Sequence, residues 1–366
     1  MKEMYVNFLL HALKIYSPSK NENEFSDFLI NYMETNLGFK KIQKDSVGNV
    51  ITDIGNGDPV VLLCGHMDTV PGVQKVEEKD NLIFGRGAVD AKSSLISMII
   101  AASYFNEIKF NGTIRLIGVV DEEGTGLGIR NLVADGIKAD YAIFGEPSGY
   151  DKITIGYKGR MSFTISCKTK PVHASAPWMS DNSIEKLVEI WNEIKVFVEN
   201  TYSGKSYYDK VTVCLTRIKG GDADNVMPGN SQLTIDLRYP MKYSEEGIYD
   251  KITQIVDSYS KKNKDFEIII DLMDETPAFE TSKSSEVSRS IGRSIIKELN
   301  IKPKYLNKTG TGDMNVLGNA LKIPVVTYGP GNAHLSHTDK EFIEKSEFLQ
   351  SINIYRTALK QIFNSI

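Results

Sequence analysis

Five histidines occur in the 366 residues, and four of them, His66, His173, His334 and His337, stand in polar loop contexts. A single imidazole is more often structural or solvated than catalytic, so the carboxylates that gather with it decide. His66 and Asp68 are two apart at the end of the apolar run PVVLLCGH, and strand geometry puts both side chains on one face. That spacing suits a metal-ligating imidazole and a carboxylate that orients it through the second ring N–H. A surface turn, HMDTVPG, is the competing reading. Asp90 follows the glycine-rich FGRGAVD and precedes a helical stretch, where it would serve as a ligand or as an ordinary helix cap. Glu122 and Glu123 come directly after the apolar run RLIGVV and Asp121, and Glu146 follows the apolar YAIFG. Acids at the ends of buried strands are costly unless solvent or a cation receives them. Adjacent residues point in different directions, so one glutamate could bind metal while its neighbour faces an attacking water.

The elements that must bring these residues together read as strands alternating with helices. GNVITDIG, PVVLLCGH, GTIRLIGVV and YAIFG are strand-like, residues 91–105 have helical spacing, and residues 128–135 begin another helix. This predicts an α/β fold with a mixed, largely parallel sheet and helices on both faces, whose sites collect where strands end. Residues 5–32 read as two amphipathic helices broken by Ser17, Pro18 and Ser19, with Asn21 or Asn23 able to cap the second. Near Lys158 the pattern changes to βαββα with a last strand FEIII, a small ferredoxin-like sandwich inserted into the larger domain. The expected domains are 1–160 and 274–366 for the catalytic part and 161–273 for an inserted lid and dimerisation part.

Composition limits the function classes. A 41% hydrophobic and 25% charged chain is an ordinary globular one, and a net charge of −4 gives no global case for nucleic acid or an anionic membrane as partner. No run approaches the ~20 apolar residues of a spanning helix, and the N-terminal segment lacks the order of a secretory signal. Cys64, Cys167 and Cys214 form no CxxC pair and read as reduced thiols, so a cytoplasmic setting is expected.

Taken in order, GHMDTVPG, FGRGAVDAK, DEEGTG, FGEPS, HASAP, NVMPG, DLRYP, KTGTGDMN and GPGNAHLSHTDKEFI resemble the two-zinc aminoacylase, acetylornithine deacetylase and succinyl-diaminopimelate desuccinylase family over nearly the full chain. The resemblance implies two divalent ions, zinc with cobalt able to substitute. Asp90 would bridge them, His66 and Glu146 would complete one, and Glu123 and His337 the other. It implies Glu122 as general base for the water between the ions, Asp68 as the residue orienting His66, and a cis peptide between Asp90 and Ala91. It further implies a homodimer through the inserted domain, in which His173 reaches the neighbouring subunit's site. Asn225 and Arg238 match substrate-binding positions, with a turn asparagine and an outward strand arginine as their ordinary readings. The role of His334 stays open.

Within that family, YKGR at 157–160 and KTGTGDMN from Lys308 look most like the branch that releases lysine or ornithine from an amino-group carrier protein, with Lys308, Thr309 and Thr311 as substrate contacts. The alternatives are hydrolysis of a small N-acyl amino acid such as acetylornithine, acetyl-lysine or succinyl-diaminopimelate, then peptide cleavage. A non-catalytic relative would have no reason to keep mutually repelling buried carboxylates.

Overall fold

Valine and leucine fill both faces of the Val60–His66 strand, and six of its seven residues are buried. Such a strand belongs in the middle of a covered sheet. In the computed structural model, which describes residues 1–262 and 266–364, it lies between Gly112–Val119 and Tyr141–Phe144, parallel to both. Val325–Thr327 continues the parallel block beside Tyr141–Phe144, while Val50–Asn56 and Lys152–Tyr157 flank it antiparallel. The expected mixed, largely parallel sheet is present. Phe8, Leu29, Leu95, Ile99, Tyr355 and Leu359 belong to the core packed with it.

The Lys92–Ser103 helix is buried from Lys92 to Ala102, so it has no solvent face to pattern. Two glycines let it approach the strand ends. A Cβ on Gly65 would stand 3.2 Å from Leu95 Cβ, and one on Gly145 would stand 2.4 Å from Met98 Cε. That approach brings the turn before the helix, with Asp90, up to the strand end that carries His66.

The chain divides into two compact units: Met1–Gly156 with Glu280–Asn307 and Gly312–Ile366, and Tyr157–Phe279 with Lys308–Thr311. In the second, Thr212–Gly220, Asn230–Tyr239, Gly159–Lys168 and Glu267–Thr276 form an antiparallel sheet in that order. The Ser183–Thr201 and Glu245–Lys262 helices supply Leu187, Ile190, Ile248 and Ile252 to a separate apolar core. The βαββαβ order is the one read from the sequence, and the short Lys308–Thr311 stretch joins this unit from far along the chain.

The second helix, Asn23–Leu37, departs from expectation at its start. Neither Asn21 nor Asn23 caps it; Glu22 holds that position without a capping side-chain bond. The Glu22 carboxylate instead accepts from the Lys20 and Asp121 amides at 2.9 and 3.0 Å. Among the described residues no helix is long and apolar enough to cross a membrane.

Candidate metal centre

Seven of the expected site residues meet in the first unit. His66 ends its strand, fully buried, and its Nε2 faces Asp90 Oδ1 at 3.3 Å and Glu146 Oε1 at 3.4 Å. The other oxygen of Asp90 faces His337 Nε2 at 3.3 Å, and His337 Nε2 also lies 2.8 Å from Glu123 Oε1. Ligand atoms of His66, Asp90 and Glu146 lie within 4.8 Å of one another, and so do those of Asp90, Glu123 and His337. Asp90 is common to these two groups, and a third set, His66, Glu122 and Glu123, also has ligand atoms within 4.8 Å of one another. Ala91 stands at the helix N-cap, so the Asp90 carboxylate is not spent on capping, and the Asp90–Ala91 bond is cis.

Asp68 works mainly on the acid loop. His66 Nδ1 is 2.9 Å from the Asp68 main-chain carbonyl and 3.5 Å from its carboxylate. Carbonyl acceptance at Nδ1 leaves Nε2 as the ligating nitrogen. The carboxylate takes the Glu122 amide at 3.1 Å, the Glu123 amide at 3.0 Å and the Ser19 hydroxyl at 2.7 Å. Burial would raise its pKa, but His66, Ser19 and the Glu123 amide hold it below the ordinary value. Asp121 takes the left-handed conformation, φ 56°, and a Cβ on Gly124 would sit 2.2 Å from Asp121 Oδ1. The loop turns tightly, and a carboxylate oxygen of Glu122 and one of Glu123 lie within 4.8 Å of each other and of a His66 ring nitrogen.

The electrostatics are those of a site built around positive charge. Burial pushes the Glu122 carboxyl well up, helped by the charges of Glu146 and Asp313. Burial and the Asp90 charge raise Glu123. Burial would lower His66, yet Glu146, Asp68 and Asp90 raise it well above the usual imidazole range, and hydrogen bonding to Asp90 lifts His337 to about 9. Two imidazole nitrogens and several carboxylates, one facing both groups, suit divalent cations of borderline softness better than an all-oxygen set would. The donor set thus fits one cation in each group.

The remaining expected residues lie in the second unit. Arg238 is paired to Asp236 through Nε at 2.6 Å and Nη2 at 3.3 Å, and its Nη1 donates to Thr311 Oγ1 at 3.1 Å. Thr311 Oγ1 donates in turn to the Lys158 carbonyl at 2.7 Å, and Lys308 Nζ lies 5.7 Å from the Tyr157 ring centre. Thr309 is exposed. His173 is exposed on a two-residue strand paired with Val226–Met227, and the Ala174 amide donates to the Asn225 carbonyl at 2.8 Å. His334 lies in a short, exposed 3-10 turn of the first unit, outside both donor groups. Sequence reasoning did not single out Ser19, Glu22 or Asp313. Asp313 opens the Asp313–Leu321 helix, and burial pushes its carboxyl up to about 7.

Residues 62–361 match the peptidase family M20/M25/M40. The chain belongs to this family of hydrolases. It is 35% identical to a [LysW]-lysine/[LysW]-ornithine hydrolase of Saccharolobus solfataricus, covering 100% of this chain and 98% of the relative. Among solved structures, the aminopeptidase PepT of Bacillus cereus superposes with a TM-score of 0.83 at 21% identity, covering 99% of each chain. A Bacillus subtilis protein described as a dinuclear metal-binding peptidase from the M20 family superposes with a TM-score of 0.71 at 16% identity, covering 100% of this chain and 99% of that one. At these identities the superpositions establish the M20 peptidase fold and no more.

Proposed function

We propose that the chain hydrolyses the amide joining the α-amine of lysine or ornithine to the γ-carboxyl of an amino-group carrier protein's C-terminal glutamate. The observation carrying amide hydrolysis is the pair of donor groups sharing Asp90, with the half-buried Glu122 beside them. The carrier substrate is supported by full-length identity to a [LysW]-lysine/[LysW]-ornithine hydrolase. His66, Asp90 and Glu146 would hold one zinc ion and Asp90, Glu123 and His337 a second, with cobalt able to replace zinc. Bound ions would supply Lewis acidity toward the carbonyl and lower the pKa of coordinated water.

The protein's own groups do the rest. Glu122, as the carboxylate, takes a proton from the attacking water and delivers it to the leaving α-amine. Asp68 fixes the direction of Glu122 through the loop amide. Arg238 meets the α-carboxylate of the released amino acid. Asp236 and Thr311 orient its guanidinium and leave one N–H on each Nη for that carboxylate. Lys308, Thr309 and Asn225 would contribute further substrate contacts.

His173 would act in the site of a second copy, in a homodimer formed through the second unit. Its Nδ1 lies 3.2 Å from the Ser175 amide and 2.7 Å from the Ser175 hydroxyl; in the tautomer where Nδ1 accepts from both, Nε2–H is an exposed donor suited to a developing oxyanion. A cytoplasmic setting fits the three unpaired thiols.

The deciding experiment strips the protein of metal, restores zinc or cobalt, and measures release of lysine and ornithine from carrier conjugates and from their N-acetyl forms. Metal-dependent release from the conjugates with little from the acetyl forms is expected. Preferential cleavage of the acetyl forms would replace the carrier reading with small-molecule deacylation.

A further inference from the structure

Arg86 and Glu341 belong to neither donor group, yet they tie together the two segments that carry Asp90 and His337. Antiparallel pairing of Leu82–Phe84 with Phe342–Glu344 sets Phe84 opposite Phe342, which brings Arg86 and Glu341 together across 255 positions of sequence. Glu341 is fully buried. Its Oε1 accepts from the Val89 amide at 2.8 Å and the Asp90 amide at 2.9 Å. Its Oε2 accepts from Arg86 Nη1 at 2.9 Å, and the same nitrogen donates to the Thr338 carbonyl at 3.1 Å. One ion pair therefore grips the backbone of Asp90 on one side and the residue after His337 on the other.

The two ligand groups need this support unequally. His66 is the last residue of one central strand and Glu146 comes just after another, and His66 Nδ1 is held by the Asp68 carbonyl. His337 sits on an irregular loop with a 51% exposed side chain and a left-handed backbone, φ 64°. Within the loop the Thr338 amide and hydroxyl both donate to the Leu335 carbonyl, and Arg86 reaches it from far along the chain through the Thr338 carbonyl.

We propose that the Arg86–Glu341 pair is a positioning device that holds His337 against Asp90, and so sets how tightly the Asp90, Glu123 and His337 group binds its cation. This rests on the two-ion reading above. Removing one partner of a buried ion pair leaves the other unpaired and lets both segments shift. Groups that orient metal ligands change affinity by about 10–100-fold when replaced.

The test is equilibrium dialysis of metal-stripped protein against zinc alone, with thermal unfolding of the metal-free forms as the fold control. Wild type should bind two ions and His337→Ala one. Glu341→Gln should hold the first ion within about threefold of wild type and weaken the second by at least about tenfold. Arg86→Lys keeps a charge for Glu341 but loses the planar guanidinium whose Nε also donates to the Gly72 carbonyl at 3.3 Å, so it should weaken the second ion to a lesser degree. Glu341→Gln binding both ions as wild type does, or losing both in step with a lost fold while Arg86→Lys binds normally, overturns the proposal. Wild type binding fewer than two ions would instead overturn the two-ion reading.

Discussion

Asp90 turns one oxygen to each imidazole, and the proposed function gives the acids around it different roles, which substitution can tell apart. Glu123 lies against His337, and the carboxyls of both half-buried glutamates are raised by desolvation, that of Glu122 also by Glu146 and Asp313. Glu122→Gln keeps shape and burial but cannot take a proton. It should leave zinc content and melting temperature near wild type while kcat falls by about 10²–10⁴-fold, the range for loss of a general base. Turnover near the wild-type level would remove Glu122 from that role. Asp68 poses a different problem, since its carboxylate accepts from three donors around the acid loop. Asp68→Asn replaces one acceptor oxygen by a donor that faces donors. The expected outcome is a kcat loss of about 10–100-fold with KM little changed, read from steady-state kinetics at saturating zinc. A KM effect alone would show that Asp68 acts on substrate binding instead.

At the scale of elements, the main strands and helices of both units follow from apolar period and length, while the Lys152–Tyr157 strand, the Asp313–Leu321 helix and the short Leu82–Phe84 and Phe342–Glu344 strands were not read; the acids that end strands were recognisable because charge there is costly. What escaped the sequence were side chains that act across it. Ser17, Pro18 and Ser19 read as helix breakers, yet Ser17 Oγ donates to the Met67 carbonyl and Ser19 Oγ to Asp68, about fifty positions away. Such bonds leave no local periodicity, and Glu341 with Arg86 is hidden in the same way. Arg238 was legible as a strand arginine, but its pairing with Asp236 was not, because two residues on one strand face predict proximity without saying which partner wins. Asp236 supplies a test at this scale. Burial would raise its pKa, but Arg238 and Arg160 hold the folded-state value below the ordinary aspartate one. The stability it contributes is therefore present above the unfolded pKa of about 3.9 and is lost as pH falls through the lower folded value. Urea midpoints of wild type and Asp236→Asn should differ most near pH 6 and converge as pH falls toward 3. A difference that stays constant with pH would mean the ion pairs add no stability of their own.

For the whole molecule, the consequence is an asymmetry between the two units. All seven residues of the candidate metal centre lie in the first unit, while the second has its own apolar core. A ligand that binds only the folded form stabilises whatever unfolds with its site, by about 2.7 kcal/mol at a hundredfold excess over Kd. Chains of several domains need not melt as one. Both tryptophans, Trp178 and Trp191, fall in the second unit, and Trp191 packs against its core, so tryptophan fluorescence reports that unit while far-ultraviolet circular dichroism reports both. Adding zinc to stripped protein should raise the main transition seen by circular dichroism and leave the fluorescence transition close to its metal-free temperature. His337→Ala should shrink the shift in the first signal without moving the second. Equal shifts in both signals would mean that the two units unfold as one cooperative body.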